Sequence, residues 1–258
     1  MVDALEVDEQ VAPRPRFFDF LAATGALLLT GRKRRCPLGF GRMKCVVTAG
    51  PTCEPLDEVR RLTNFSTGEL GTELANFLTG QGHEVVLLLG HYAIYRGEPK
   101  VRSVETFTTT ADLRARLQGL SAQGIGAVFH AAAVSDFSFG GVWEQEESGN
   151  LVQCVERKIS TKKGQVLVEL KPTPKIIGEL RGWFPQSRLV GWKYELDGDR
   201  ARAVQAAERQ IALNRTNACV VNGAAYGDGF GLVTGAGKCE HVPDTRSLYR
   251  ALAGWMAC

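Results

Sequence analysis

The stretch KCVVTAG at residues 44–50 starts the part of the chain that decides the fold. Residues Cys45–Thr48 are apolar or β-branched, and this short run predicts a strand that is buried on both faces. A long loop is expected over residues 49–65. The next apolar run, Glu84–Leu89, has the same character and predicts a second buried strand. The segment between this loop and the second strand is long enough to form a helix.

That intervening segment carries a helix start signal. Ser66 followed by Glu69 three residues later is a capping-box pattern, which predicts Ser66 as the N-cap. Apolar side chains then recur on one face at helical spacing: Leu70, Leu74, Phe77 and Leu78. Gly80 or Gly82 is expected to end the helix. Strand, helix and strand in this order are typical of a parallel sheet with a crossover helix.

The same alternation continues to the end of the chain. Further helices are predicted at residues 111–120, 175–183, 200–213 and 245–256. Further strands are predicted at residues 126–130, 188–192 and 218–221. The pattern predicts an α/β fold: a doubly wound, mostly parallel, Rossmann-like sheet with helices on both faces.

One region interrupts the alternation. Residues 136–172 lack helical periodicity, but Leu151–Glu156 and Val166–Leu170 resemble strands on either side of a basic turn at Lys162-Lys163-Gly164. This pattern predicts a β arm that projects from the sheet. Such an arm covers a site or pairs with another subunit.

Composition excludes several partner classes. The chain has 258 residues and a net charge of +3, and the part from Met43 onward is close to neutral, which argues against nucleic acid as a partner. No run of 18 apolar residues suggests a membrane span. The seven cysteines form no C-x-x-C pair, which favours reduced thiols in the cytoplasm. The four histidines show no metal-ligand spacing, so no protein-held metal is expected.

The first 42 residues differ from the rest. Acidic, apolar and basic stretches follow one another, the last being Arg32-Lys33-Arg34-Arg35. A secretory signal has its positive charges before the apolar stretch, so this order does not fit one. We expect residues 1–42 to be a poorly ordered extension and residues 43–258 to form the folded domain. A start at Met43 and a membrane-surface or targeting role for the extension remain alternatives.

Ligands of open parallel sheets bind beyond the carboxyl ends of the strands. The loop from Ala49 leads to the helix start at residues 66–71, where free N–H groups and the helix dipole favour an anion. Gly68 and Gly71 would let a phosphate approach the backbone, or would only permit a turn and helix–sheet contact. The sequence has no G-x-G-x-x-G after the first strand and no P-loop motif.

Two more strand ends and one basic region are candidate ligand contacts. Ala131–Ala133 could leave room for a flat ring, and Ser135 and Asp136 could bond to it or to a hydrated cation. Asn222 also ends a strand, although Asn is more often a turn residue there. Several lysines could balance phosphate charge or could form an ordinary solvated surface. They are Lys158, Lys162, Lys163, Lys171, Lys175 and Lys193.

Six stretches resemble one family, in that family's order. They are VTAGPTCEPLDEVRRLTNFSTGELG (47–71), HAAAVSDF (130–137), KIS (158–160), TPKII (173–177), GWK (191–193) and VVN (220–222). Together they resemble phosphopantothenoylcysteine synthetase, also called phosphopantothenate–cysteine ligase. In bacteria this domain is commonly the C-terminal half of a bifunctional flavoprotein of coenzyme A biosynthesis. The first two stretches are specific to the family and the others support them.

The resemblance implies a two-step ligation in the cytoplasm. The carboxylate of 4′-phosphopantothenate attacks the α-phosphate of CTP or ATP, with Mg²⁺ assisting, and the amine of cysteine then displaces the nucleotide monophosphate. The choice between CTP and ATP stays open. No flavin is expected, because it belongs to the family's decarboxylase half and 42 residues are too few for that half. The family's arm implies a homodimer through residues 151–170.

The resemblance also assigns roles to single residues. Asn64 is the expected contact to the activated acyl group, and Lys158 aligns with the lysine needed for turnover. The expected substrate contacts are Arg60, Ser66 and Gly68. The expected nucleotide contacts are Gly50, Ala131, Ala132, Asp136, Lys158, Trp192, Lys193 and Asn222.

One departure from the family keeps two alternatives open. The family usually has Phe where Trp192 stands, and Thr where Leu196 stands, while Glu195 is retained. Trp192 can replace Phe as a ring platform, but Leu196 cannot form a hydrogen bond. Leu196 favours a non-catalytic binding or regulatory homologue, whereas Asn64 and Lys158 disfavour one. A Rossmann-type NAD(P)-dependent reductase would need a glycine turn after the first strand and a Tyr-x-x-x-Lys pair, and the sequence has neither.

Overall fold

A computed structural model describes residues 41–160 and 164–257. The helices are α1 Glu69–Gly80, α2 Thr110–Gly119, α3 Ile176–Trp183, α4 Arg200–Asn214 and α5 Thr245–Ala257. The strands are β1 Lys44–Ala49, β2 Cys53–Pro55, β3 Arg61–Thr63, β4 Glu84–Gly90, β5 Ser103–Phe107, β6 Ala127–His130, β7 Phe137–Gln145, β8 Leu151–Gln153, β9 Gln165–Pro172, β10 Arg188–Tyr194, β11 Ala218–Asn222, β12 Phe230–Gly235 and β13 Lys238–Val242. None of the helices in these ranges is long and apolar enough to span a membrane.

The central sheet confirms the predicted fold class. Its order is β13-β12-β11-β10-β6-β1-β4-β5, and the strands from β11 to β5 are parallel. Strands β12 and β13 continue the sheet in antiparallel pairing. The chain leaves β1 toward β4 and β5, then returns to place β6 on the other side of β1. The strand order therefore reverses between β1 and β6, and in doubly wound folds this switch point is where ligands bind.

Apolar side chains cover both faces of the sheet. Val47 and Phe129 belong to the cluster under α1 and α5, whereas their chain neighbours Val46 and Val128 belong to the cluster under α2 and α3. Successive strand residues point to opposite faces, so a strand covered on both sides must be apolar throughout. This requirement explains why CVV and AVF could be recognised as strands.

Two predictions about the region after β1 are wrong. The expected loop at residues 49–65 contains the antiparallel hairpin β2–β3, in which Cys53 pairs with Thr63. The N-cap of α1 is Gly68 and not Ser66, and no side chain caps the helix. Gly68 adopts φ +86°, a left-handed conformation that glycine allows, and the chain uses it to turn into the helix.

The predicted arm exists but is built differently. Strands β8 and β9 do not pair with each other; both pair with β7, in the order β8-β7-β9. The first predicted arm strand ends at Gln153 and not at Glu156. The sequence did not predict β7, because the glycine pair Gly140-Gly141 interrupts the apolar alternation of this strand. Lys162 and Lys163, the expected basic turn, and residues 1–40 of the expected extension lie outside the described residues.

Candidate functional site

The switch point is a local opening in the ladder between β1 and β6. Regular pairing ends with Thr48 opposite His130 and resumes at an isolated bridge between Pro51 and Ala133. At that bridge the N–H of Ala133 donates to Gly50 O at 3.0 Å, and the N–H of Thr52 donates to Ala133 O at 3.1 Å. The ladder is therefore interrupted between these points. We call this interruption, which spans Ala49, Gly50, Ala131 and Ala132, the crevice.

Glycines bring three backbone segments together at this crevice. Gly50 and Gly68 both have left-handed φ values, +79° and +86°. A Cβ at Gly68 would lie 3.4 Å from Gly50 Cα and 3.0 Å from Ala93 Cβ. A Cβ at Gly71 would lie 2.6 Å from Ala49 Cβ, so this glycine lets α1 pack closely on β1. The structure shows the second alternative: Gly71 provides helix–sheet contact and Gly68 turns the chain beside Gly50. Approach of a phosphate to these glycines stays a prediction.

The amino end of α1 lies at the crevice. The first backbone bond of the helix runs from Thr72 N–H to Gly68 O at 3.1 Å, and the Thr67 hydroxyl accepts from Glu69 N–H at 3.2 Å. The N–H groups of Leu70 and Gly71 precede that first helical bond. Unbonded N–H groups and the positive end of the helix dipole favour an anion such as phosphate. Ser66 stands two residues before the actual N-cap.

A buried polar chain supports the Ala131–Ala133 turn. Thr48 Oγ1 accepts from Ala132 N–H at 3.1 Å and contacts His130 Nδ1 at 3.0 Å. A threonine hydroxyl donates one hydrogen bond and accepts up to two, so Thr48 can pair with either neutral tautomer of His130 while it accepts from Ala132. His130 is fully buried, and desolvation lowers its pKa to about 4. The imidazole is therefore an uncharged structural support at neutral pH.

Asn64 reaches the crevice from the hairpin. The side chain of Asn64 donates from Nδ2 to Ala133 O at 3.2 Å. The adjacent Thr63 hydroxyl donates to Thr52 O at 2.9 Å. These bonds tie the end of β3 to both walls of the switch point. Asn64 remains exposed to solvent, as a residue that contacts substrate must be.

Arg60 is engaged by protein groups and not directed at the crevice. Its guanidinium bonds to the carboxylate of Asp57 through Nε at 2.9 Å and to Ile159 O through Nη2 at 2.7 Å. These contacts make Arg60 a link between the hairpin and the segment that carries Lys158. Lys158 itself is exposed. The structure thus brings Arg60 and Lys158 to one hairpin, although they are 98 positions apart in the chain.

Asp136 lies beyond β6, where its exposed carboxylate forms an ion pair with Lys175 at the start of α3. The neighbouring Ser135 is buried: its N–H donates to Thr52 Oγ1 at 2.8 Å, and its carbonyl accepts from the Thr173 hydroxyl at 2.5 Å. Ser135 is therefore used in packing, and Asp136 is the accessible group of the pair.

The remaining predicted contacts divide between the two faces of the sheet. Trp192 packs on the cluster under α1 and α5, which is the face of Ala49. Asn222 is in register with Tyr194, two residues after Trp192, and shares that face. Lys193 points to the opposite face and pairs with Glu195 at 3.1 Å. The structure brings Trp192 and Asn222 together but separates Lys193 from them.

Sequence reasoning missed four residues that shape the site: Thr48, Thr52, Asp57 and His130. Thr52 and His130 are buried, and their polar atoms contact Ser135 and Thr48. For Thr48 and His130 the available signal was a polar residue at the end of a buried strand; Asp57 gave no such signal.

The sequence pattern of the DNA/pantothenate metabolism flavoprotein C-terminal domain matches residues 41–239. This match covers β1 to β12, and with them the crevice and the arm. The chain belongs to this family.

Individual relatives agree with the family. A coenzyme A biosynthesis bifunctional protein CoaBC from Thermococcus kodakarensis is 32% identical over 194 residues, which are 72% of this chain and 42% of the relative. A cysteine/cysteine sulfinic acid decarboxylase from an unknown prokaryotic organism is 26% identical over 198 residues, 76% of this chain and 51% of the relative. The chain therefore spans about half or less of these relatives. The crystal structure of a DNA/pantothenate metabolism flavoprotein from Streptococcus pneumoniae superposes with a TM-score of 0.73 at 28% identity, over 83% of this chain and 98% of that one.

Proposed function

We propose that the chain is a phosphopantothenate–cysteine ligase of coenzyme A biosynthesis. The observation that supports this proposal most directly is the crevice between β1 and β6. There the amino end of α1 lies beside Gly50, and Asn64 donates a hydrogen bond to Ala133 O. A phosphate binds at such a backbone cradle, and a polar side chain at its rim can contact a reacting acyl group. Membership of the family, whose relatives include coenzyme A biosynthesis proteins, supports the choice of substrates.

The proposed first step joins the phosphopantothenate carboxylate to the α-phosphorus of CTP or ATP. A carboxylate oxygen forms the new bond, the bond from the α-phosphorus to the bridging oxygen breaks, and pyrophosphate leaves. The backbone around Gly50 and Gly68 would hold phosphate oxygens, and Ala131 and Ala132 would leave room for the sugar or base. Trp192 and Asn222 lie on the same face of the sheet and would line the nucleotide site. Positioning and charge compensation are the main needs of such a transfer.

The proposed second step forms the amide. The cysteine amine attacks the acyl carbon, the bond to the phosphate oxygen breaks, the nucleotide monophosphate leaves, and the ammonium proton passes to water. Asn64 would bond to the acyl-nucleotidylate, and Lys158 would offset its negative charge. Ser66 and Gly68 would contact phosphopantothenate, while Arg60 would act through the segment that carries Lys158, since its guanidinium is already bonded.

Mg²⁺ is proposed to arrive with the triphosphate, whose charge it would neutralise. Proteins often bind Mg²⁺ through one or two carboxylates together with substrate phosphates. The exposed Asp136 carboxylate fits this pattern, since it lies beyond the carboxyl end of β6 and its partner Lys175 is exposed too. The described residues hold no group of three or more His, Cys, Asp or Glu side chains arranged for a metal.

A homodimer through the arm is proposed as the assembly. Apolar side chains of the arm are exposed, including Leu151 at 52%, Val152 at 49% and Leu170 at 49%. Edge strands with exposed apolar residues are suited to pairing with another chain. We propose the cytoplasm as the location, in keeping with an enzyme of coenzyme A assembly.

A non-catalytic homologue is the second candidate, and Leu196 favours it. Its side chain is 61% exposed beside Glu195 and has no hydrogen-bonding group. One experiment separates the candidates: pyrophosphate release by the full chain with phosphopantothenate and either CTP or ATP, with and without cysteine. A ligase releases pyrophosphate and forms a cysteine-dependent product with at least one triphosphate. Binding of both substrates without pyrophosphate release would indicate the non-catalytic homologue.

A further inference from the structure

Asp57 is the most heavily bonded acidic side chain at the candidate site. Its carboxylate is 3% exposed and accepts from Arg60 Nε, at 2.9 Å, and from the Arg60 N–H, at 2.7 Å. It also accepts from the N–H groups of Val59, at 2.9 Å, and Ile159, at 3.2 Å. The bonds to Arg60 and Val59 close the turn between β2 and β3, whereas the bond to Ile159 crosses about 100 residues of sequence.

Ile159 is held on both sides of its backbone. Its N–H donates to Asp57, and its carbonyl accepts from Arg60 Nη2 at 2.7 Å. Its side chain is buried, with 6% exposed. One residue of an otherwise exposed segment is thus fixed by two hydrogen bonds and by packing.

A second contact holds the other side of Lys158. The N–H of Glu58 donates to Arg157 O at 3.0 Å, and the side chains of Glu58 and Arg157 form an ion pair. Arg157 and Ile159 are therefore both docked on the turn at residues 57–60. Lys158 lies between them and is exposed.

We infer that Asp57 is a positioning residue, which holds Lys158 on the hairpin that also carries Asn64. This inference rests on the proposed function, since it assigns Asp57 a part in that reaction. The hairpin places Asn64 against Ala133, so a segment docked on the same hairpin has a fixed relation to the crevice. Without the dock, Lys158 would be a mobile surface cation, and its ammonium would have to be ordered at each turnover.

Charge is essential to this dock. The side-chain bond from Arg60, followed by the N–H groups of Val59 and Ile159, holds the pKa of Asp57 well below its usual range. Asp57 is therefore a carboxylate at neutral pH, and it neutralises Arg60 while accepting from Ile159. Asp57→Asn retains one oxygen acceptor but loses the charge and the second oxygen, whereas in the wild type Oδ2 accepts from both Nε and Nη2 of Arg60 while Oδ1 accepts from the turn backbone.

The test is a double-mutant cycle on the full chain, measuring kcat and KM for cysteine-dependent product formation. We expect Asp57→Ala to lower kcat by at least about ten-fold with a smaller change in KM, and Asp57→Asn to lower it less. In a chain that already carries Lys158→Gln, Asp57→Ala should lower kcat by less than about two-fold further. Asp112→Ala is the matched control, because Asp112 also accepts from an arginine Nε and a backbone N–H but supports α2. It should leave kcat unchanged.

Amide hydrogen exchange gives a readout that does not depend on activity. The Ile159 amide should exchange faster in Asp57→Ala than in wild type, and the β1 amides should not change. Independent, multiplicative losses in the cycle, or unchanged Ile159 exchange, would overturn the positioning role. If wild type forms no product while Ile159 exchange responds as expected, the proposed function fails and the dock stands.

Discussion

The switch-point crevice and the hairpin–arm region, which is β2–β3 with the docked residues 157–159, hold their proposed functional groups in opposite ways. In the crevice the groups are backbone atoms, fixed by buried strands, by left-handed Gly50 and Gly68, and by the buried Thr48–His130 pair. At the hairpin–arm region they are exposed side chains, Asn64 and Lys158, held by a few side-chain bonds. The difference teaches that the packed core fixes the geometry of the proposed binding site, while the side chains proposed to act on substrate lie on a rim that a few hydrogen bonds hold in place.

Because of this contrast, we expect substitutions on the rim to change the reaction rate without changing the stability of the fold. We expect Lys158→Gln to reduce cysteine-dependent product formation by at least ten-fold and up to about 1000-fold, because it removes one charge-assisted contact to a phosphate intermediate. The melting temperature should stay near that of wild type. Lys171→Gln is the matched control, since Lys171 is an exposed arm lysine paired with Glu169. Equal small effects at both positions would show that the arm lysines are ordinary surface charges.

Asn64→Ala tests the other rim residue. Ligation should fall by about ten-fold or more, since a contact to the acyl intermediate is lost, with little change in folding. Single-turnover measurements of pyrophosphate release and amide formation would locate the affected step. Wild-type turnover in this variant would show that Asn64 has no role in the reaction.

The buried side of the comparison predicts a pH effect on stability. The pKa of His130 is about 4 in the folded chain, whereas an unfolded histidine titrates near its ordinary value of 6.5. Below pH 6.5 the unfolded state binds a proton that the native state does not bind. The free energy of unfolding therefore decreases as the pH is lowered and becomes constant below pH 4. His130 should account for a loss of about 2 kcal/mol between pH 7 and pH 5. Urea unfolding of wild type and His130→Gln should show this slope only in wild type.

A smaller effect is expected from the glycine turn. Ala at position 68 must adopt φ +86° and places a Cβ 3.0 Å from Ala93 Cβ, so it should cost about 1 kcal/mol of stability and weaken phosphopantothenate binding several-fold. Gly82→Ala is the control, because Gly82 has φ +93° but no atom within 4 Å of the added Cβ. Calorimetric titration with phosphopantothenate should show weaker binding only for Gly68→Ala. Equal affinities of the two variants would show that phosphopantothenate does not use this turn.

The smallest effect is expected outside both regions. A chain that begins at Met43 should retain its melting temperature, because it keeps the bond from Glu84 N–H to Met43 O and loses only the exposed Arg42–Glu84 ion pair among the described contacts. A fall of more than about 5 °C, which exceeds 1 kcal/mol for a domain of this size, would mean that the removed residues pack on the fold.

The sequence predicted best what depends on local periodicity. Doubly buried strands such as β1 and β4 are continuous apolar runs, and α1 has a regular apolar face, so the alternation and the fold class follow from them. Strands β2, β3 and β8 span only three residues each and were missed or given wrong ends, because their pairing is decided by distant partners. The Ser66 cap failed for a related reason: contact with Gly50 favoured the turn at Gly68 over a local side-chain cap.

Site residues followed the same division. The sequence predicted Asn64 and the Ala131–Ala133 turn as site residues because their motifs are contiguous in the chain; the structure places both at the switch point, and their roles stay predictions. The bonded state of Arg60 and the role of Asp57 could not be read, since both depend on Ile159, about 100 residues away. The separation of Lys193 from Trp192 follows from strand alternation alone and could have been predicted once β10 was assigned.

The switch point also bears on the order of events as the chain folds. Its two walls, β1 and β6, pair Cys45 with Ala127, so about 80 residues must be synthesised and closed into a loop before the crevice exists. The units from β1 to β5 can form earlier contacts, since β1, α1 and β4 are neighbours in sequence and in space. A nascent chain would thus acquire its first sheet pairs well before the proposed nucleotide site exists. If the proposed site binds nucleotide, binding during refolding would report on docking of the second half of the sheet, and its lag behind secondary-structure formation would measure how slowly that long loop closes.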